Sequence, residues 1–391
     1  METSFAENGA KDREMPMPKL SVCIPVEPGH ILPVNLVQEL LKNATADLEI
    51  ILSGFGDTVH RYGPFADISA RDSRLRLLPP APETLSAAQL WIGTLAAAEG
   101  DWVSLVHPED MIEPDLPELL SSLENKHPHV DALGWSAFQI SADAPRHIKT
   151  NVAIPVLHNI TEFEKAPMLE AFFHWKEARQ VPRMPFGLYH GAIKRSLIDS
   201  VLSACGALSW LTLVPQYEWA ARVLLFANAL AFCNRPLSAV HAHPFQPRPV
   251  PSALKDFPLH AGIGLTAAIA EVQARVLMEL GSEWAGFGED FVRACMYDCA
   301  FEHSTGPFRT KYEAYSRAFL SMPGGQAWVR AFAPPFSATP HEDRQQGLHG
   351  KVLLVDRFIG NAVNAQQFYA VARSMMTPIR VIAEPNARAS A

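Results

Sequence analysis

The acid–base and ligand chemistry of this chain is concentrated in Asp101-Trp102-Val103-Ser104-Leu105-Val106-His107-Pro108-Glu109-Asp110, an apolar run ending in an imidazole, a proline and two carboxylates. β-compatible residues stopped by Pro108 predict a buried strand that delivers metal-capable or phosphate-facing groups to a sheet edge. That edge is where α/β enzymes place their chemistry. The same Pro-Glu-Asp also suits the first turn of a following helix, where the dipole favours acids.

Such a strand needs neighbours. Leu20 to Val26, with Pro25 near its end, predicts a second buried strand, and Leu36 to Leu41 has helical spacing. Leu48 to Leu52 predicts another strand, running into a turn-rich loop over Ser53 to Asp57. Arg74 to Leu78 adds a fourth, and Leu85 to Ala98 an Ala-rich helix that Gly100 can cap. Strand, helix, strand in this order implies right-handed parallel units, so the first 120 residues or so read as half of a Rossmann-like sheet.

In this order and spacing the chain resembles the family 2 glycosyltransferases. The resemblance rests on Pro25 after the first strand, the strand Asp47-Leu-Glu-Ile-Ile51, and Ala98-Glu99-Gly100-Asp101-Trp102-Val103 leading to His107-Pro108-Glu109-Asp110. It spans residues 18 to 245 and is strongest from Lys19 to Asp115. It implies an α/β fold, a Rossmann-like GT-A mixed sheet flanked by helices, here with a mainly helical C-terminal appendage. It also implies a nucleotide-diphospho-sugar donor, with Pro25, Val26, Glu27, Ser53, His107 and Glu109 in contact with it. A divalent cation, Mn²⁺ or Mg²⁺, would neutralise the departing diphosphate, since hard cations take oxygen from one or two carboxylates plus phosphate. Glu109 and Asp110 match the second and third positions of the family's acidic motif, making Asp110 the expected direct ligand with Glu109 beside it. His107 stands where the first acid is usual and can offer a neutral nitrogen to Mn²⁺ or contact the donor without metal. Ser53 and Gly54 replace an acidic pair that recognises the nucleoside, and Gln89 and Ile92 replace polar residues of the helix before the acidic strand.

A second group of residues follows at Phe186 to Ser196, where His190-Gly191 precedes a helix beginning about Ser196. This resembles the family's acceptor-side segment, with His190 near the sugar; an ordinary partly buried histidine beside a structural glycine is the other reading. Pro215 is suited to open the helix expected over Trp219 to Leu230. An inverting enzyme needs a carboxylate near the acceptor hydroxyl. Gln216 stands where the family places an Asp, so Glu218 is the candidate base, provided the helix has not yet begun; two residues along a helix is about 200° of rotation. The alternative is a solvated first-turn glutamate.

Composition bounds the rest. The net charge is −8 with 19% charged residues, so no basic face invites nucleic acid. Five scattered cysteines without a Cys-x-x-Cys pair argue for reduced thiols and the cytoplasm, with the periphery of the inner membrane as the alternative. Met1 to Pro18 reads as a flexible polar tail without signal-peptide character, and no apolar stretch is long enough for a transmembrane anchor. The expected organisation is a glycosyltransferase-like domain over residues 19–245, a proline-rich linker over 246–260, and a mainly helical region over 261–391. That last region can cover the acceptor cleft or mediate self-association into a homo-oligomer. No Gly-x-Gly-x-x-Gly follows strand one, and no Gly-Lys-Ser/Thr occurs, which sets aside dinucleotide and nucleoside-triphosphate chemistry. The leading expectation is sugar transfer to a carbohydrate or lipid-linked acceptor, with inversion. The alternative is a degenerate member acting as a binding or assembly partner in polysaccharide synthesis, since Ser53, His107 and Gln216 replace three family acids.

Overall fold

The computed structural model describes residues 18–43, 47–56, 63–141, 150–184, 186–243, 245–247, 254–339 and 345–384. The expected tail, Asp57 of the turn-rich loop, and much of the proline segment lie outside them. The first stretch alternates strand and helix: β1 (Leu20–Val26), α1 (Val34–Leu41), β2 (Leu48–Gly54), α2 (Gly63–Arg71), β3 (Leu75–Leu77), α3 (Ala87–Ala96) and β4 (Trp102–Leu105). The middle holds β5 (Met111–Ile112), α4 (Leu116–Lys126), β6 (Ala132–Trp135), β7 (Phe138–Ser141), β8 (Asn151–Pro155), β9 (Ile160–Phe163) and α5 (Lys165–Phe173). It continues through β10 (Gly191–Lys194), α6 (Arg195–Ser203), α7 (Pro215–Phe226), β11 (Leu230–Cys233) and β12 (Ser238–Ala242). The last stretch holds α8 (Leu265–Glu279), α9 (Glu289–Ala300), α10 (Thr305–Leu320), α11 (Gly325–Ala331), β13 (Gly347–His349), β14 (Val352–Asp356), α12 (Ala365–Arg373) and α13 (Ile379–Ala383).

The expected α/β class is observed. An eight-stranded mixed sheet runs in the order β3-β2-β1-β4-β10-β6-β11-β9. β1, β2, β3 and β4 are mutually parallel, and β10 is antiparallel to both β4 and β6. Side chains of β1 alternate between two cores, Cys23 on one face and Val22, Ile24 and Val26 on the other, which is why the strand reads as one continuous apolar run. α3, α5, α6, α7 and the later helices α8 to α10 supply the first core. α1, α4, β14, α12 and α13 supply the second. The C-terminal residues thus cover both faces.

Two local expectations change. α3 is closed at its start by a reciprocal capping box, Gln89 N to Ser86 Oγ at 3.3 Å and Ser86 N to Gln89 Oε1 at 2.8 Å. Its C-cap is Ala97, not Gly100. Gly100 serves close approach instead: a Cβ there would sit 2.6 Å from the Ser21 amide nitrogen, so only glycine lets β4 begin against β1. The helix expected over Trp219 to Leu230 is α7, which starts at Pro215 and stops at Phe226; the rest of that apolar run is β11, a central sheet strand.

Candidate active site

The C-terminal ends of β1 and β4 open into a cavity of about 830 Å³ that extends across the sheet to β9 and β11, within the size range of ligand sites. Glu27 follows β1, His107 follows β4, Trp135 closes β6, Tyr189 and His190 precede β10, and His241 and His243 lie at the end of β12; all line it.

Asp110 is the anchor of this end rather than an exposed ligand. It is 1% exposed, and its carboxylate accepts from four protein donors: Tyr189 Oη at 2.6 Å, His190 Nε2 at 3.0 Å and the His107 amide at 3.2 Å on Oδ2, and the His241 amide at 2.8 Å on Oδ1. Oδ2 takes three of these bonds and Oδ1 one, so most of the carboxylate's acceptor capacity goes to the protein at a residue closed to solvent. The expectation that Asp110 ligates a metal directly is corrected on that ground. Burial pushes its pKa up, but the bonds from His190 and Tyr189 and the neighbouring imidazoles outweigh it and hold the carboxyl below its ordinary value. Burial first, and then the Asp110 charge, push the Tyr189 phenol well above its ordinary range, so Tyr189 stays protonated and donates.

His190 is placed at the cavity but is spent on structure. Its Nδ1 lies 2.7 Å from Ser238 Oγ, which in turn accepts from Trp135 Nε1 at 2.7 Å. With Nε2 bonded to Asp110 and Nδ1 to the Ser238 hydroxyl, both ring nitrogens are occupied. The candidate catalytic role for His190 therefore gives way to that of a positioning residue. Its φ of 56° turns the chain sharply, and a Cβ on Gly191 would collide with the Gly187 carbonyl. Gly191→Ala is expected to destabilise the fold by about 1–3 kcal/mol through overpacking, read as a lower urea midpoint with unchanged slope.

The metal-capable group lies one residue earlier. Glu109 Oε1 is 3.3 Å from His241 Nδ1 and Oε2 is 3.6 Å from His243 Nε2, and one ligand atom from each of the three residues falls within 4.8 Å of the others. Beyond that 3.3 Å contact with Glu109, His241 Nδ1 is buried and makes no hydrogen bond, which suits a nitrogen held for an ion. His241 and His243 are two apart on an extended segment and so share a face. The spacing His-Ala-His was the signal in the sequence that the reading from Glu109 and Asp110 passed over.

The remaining expected residues fall in two groups. His107 and Glu27 do reach the cavity: His107 packs edge-on against Trp91 and Tyr189, and Glu27 accepts from Trp91 Nε1 at 3.3 Å. Burial lowers the His107 pKa more than Asp110 and Glu27 raise it, so its ring is neutral at pH 7. Pro25, Val26 and Ser53 do not line the cavity. Val26 is fully buried in the second core, Pro25 is buried opposite Ser53 in the β1–β2 ladder, and the Ser53 hydroxyl is taken by Thr94 of α3. A short strand pair packed on both faces leaves these side chains no route to a ligand.

Glu218 is also corrected. α7 already begins at Pro215, so Gln216 and Tyr217 face the cavity while Glu218 points behind its wall. There it is 0% exposed and accepts from the Trp210 amide at 2.8 Å, Arg222 Nη2 at 2.7 Å and Arg275 Nη2 at 2.9 Å. A carboxylate between two guanidinium groups, out of reach of the cavity, cannot take an acceptor proton.

Comparisons with known proteins add the following. No family model matches the sequence. Over 164 residues the chain is 26% identical to a protein of Bacillus subtilis (strain 168) described as uncharacterized glycosyltransferase EpsJ. That match takes in 42% of this chain and 45% of EpsJ, so the chain spans less than half the length of this curated relative. Crystal structures of S. aureus TarS residues 1–349, alone and in complex with UDP-GlcNAc, align with TM-scores of 0.47 at 12% identity. The alignments cover 80% of this chain and 83% and 84% of those chains. Part of this chain is thus similar in sequence to a glycosyltransferase.

Proposed function

We propose that the protein is a glycosyltransferase that binds a nucleoside-diphosphate sugar in the cavity at the ends of β1 and β4 and transfers the sugar to an acceptor hydroxyl. The observation that carries this reading is the Glu109–His241–His243 cluster beside a large cavity at the carboxyl ends of parallel strands, where α/β folds bind ligands. Two imidazoles and one carboxylate suit Mn²⁺ or Zn²⁺ better than Mg²⁺. A divalent ion held there supplies charge neutralisation for a leaving diphosphate.

The chain's own residues set the rest. Asp110 fixes the His241 backbone and the His107 turn, so the two sides of the cluster are held by one carboxylate. Neutral His107 and the face of Trp91 bound the donor end, and Glu27 is the carboxylate lining the cavity among the described residues. In transfer with inversion the acceptor oxygen attacks the anomeric carbon, the bond to the diphosphate oxygen breaks with its electron pair, and the hydroxyl proton passes to a base. With Glu218 turned away and Gln216 unable to act as one, Glu27 is the proton acceptor in this reading.

A second reading, a degenerate glycosyltransferase-like protein that binds without turnover, is favoured by that same sequestration of Glu218. Calorimetric titration with UDP, GDP and TDP, each with and without Mn²⁺, separates the two when followed by turnover of the matching nucleotide sugar. Metal-dependent binding of one nucleotide is expected, weakened at least about tenfold by His243→Ala, whose ring is largely exposed and whose loss leaves the fold intact. Silence from all three nucleotides in folded protein sinks the donor site; binding without turnover selects the degenerate reading.

A further inference from the structure

The cavity is chemically lopsided. Its carboxylate and imidazole groups come from the ends of β1, β4 and β12 and the turn before β10, whereas Phe163, Met168, Met184, Phe232, Phe245 and Leu265 line it elsewhere, with Arg183 the charged residue beside Met184. Phe163 and Phe232 pack edge-to-face at 6.0 Å, and both pack in the same way on buried Phe186, at 6.1 and 6.3 Å. Rings that cover one another's faces leave little flat surface for a sugar to stack on, and aliphatic Met168, Met184 and Leu265 offer its hydroxyls no partner. The apolar path continues outward: Leu213 lines the cavity and is 38% exposed, and Leu211, two residues before it, is 56% exposed. Leu213 thus carries apolar surface from the cavity wall out to solvent.

We infer that this half of the cavity is a subsite for a hydrocarbon chain carried by the acceptor, so that the substrate class is an amphiphile rather than a free oligosaccharide. The inference rests on the proposed donor site for its direction: the polar head lies beside Gln216 and Arg183, facing the donor end, and the chain runs over Phe163 and Phe232 toward Leu213. No new bond is involved, only burial of apolar surface.

The probes are n-octyl β-D-glucopyranoside, kept below its micelle concentration, and methyl β-D-glucopyranoside, titrated into the full chain while tryptophan fluorescence reports from Trp91 and Trp135 in the cavity wall. The octyl glucoside is expected to bind at least about tenfold more tightly, the gain from burying roughly two methylene groups. Leu213→Asn and Phe163→Asn should each erode that preference; Leu213 is exposed, so its variant folds even if the other does not. Absence of a chain-length preference, or a preference untouched by the Leu213 variant, overturns the inference. UDP titrated into the same samples reports the donor site separately: UDP binding without chain-length preference removes only the subsite. A preference without nucleotide binding keeps the subsite and removes the donor reading.

Discussion

Glu218→Ala is expected to cost about 3–5 kcal/mol of folding stability, because removing one partner of a buried ion pair leaves the others charged and unpaired. Arg222 and Arg275 are 0% and 1% exposed as side chains, and they meet at Glu218 from α7 and α8. Arg222 keeps Glu279 at 2.7 Å, but Arg275 keeps only the Leu208 carbonyl. The Trp210 amide loses its acceptor as well, loosening the loop that carries Leu211 and Leu213. Urea unfolding followed by circular dichroism measures the loss. Glu218→Gln should fall in between, since the amide oxygen still accepts from one guanidinium, and its turnover per folded molecule should match wild type. A stable Glu218→Ala protein with abolished turnover would restore Glu218 to the chemistry and refute the placement behind the wall.

Asp110→Asn is the second large effect. The shape is kept, but the side chain then brings an NH₂ into a ring of donors from Tyr189, His190 and the His107 amide. Turned the other way, the NH₂ meets the His241 amide instead, so at least one buried donor loses its acceptor and a loss of about 1–3 kcal/mol is expected at pH 7. Because the folded carboxyl is held below its unfolded value, its contribution is fully present above an unfolded pKa of about 3.9 and is lost as pH falls through the lower folded value. The gap between wild type and variant should therefore close on acidification below about pH 4. Mn²⁺ affinity should drop about 10–100-fold through misplacement of His241 and Glu109. Loss of metal with stability unchanged would mean that Asp110 is a direct ligand after all.

Much of the sheet was legible because its central strands are buried on both faces and so appear as unbroken apolar runs: Leu20 to Val26, Leu48 to Leu52 and Trp102 to Val106. α3 was legible through composition, and its true boundary through Ser86 and Gln89, a capping box the pattern of apolar residues hides. β5, β7 and β12 were not, since strands of two to five residues carry too little alternation to read. The site was half legible. The stretch His107 to Asp110 does sit at the cavity, yet which of two adjacent carboxylates points outward depends on the turn after β4, set by the Asp110–His107 hydrogen bonds. Glu218 was misread for lack of one available clue: Arg222 lies four residues on, in an otherwise apolar helix, and such an i, i+4 pair signals a partner, not a free base.

The return of the chain's last elements to its early ones sets a condition on how the molecule forms. β14 pairs with β8, Asp356 opposite Asn151, and Ser122 of α4 donates to the Ala383 carbonyl 261 positions away. Closing a loop of about two hundred residues costs roughly 3 kcal/mol more in chain entropy than closing one of ten, and contacts so distant in sequence slow folding. Leu119, Leu120 and Leu123 of α4 share their core with early strands and also with Val355, Phe368 and Ile379, so part of their cover is missing until residues 352–383 have been made. The half-made chain, with that part of the core open, is therefore the species most exposed to aggregation.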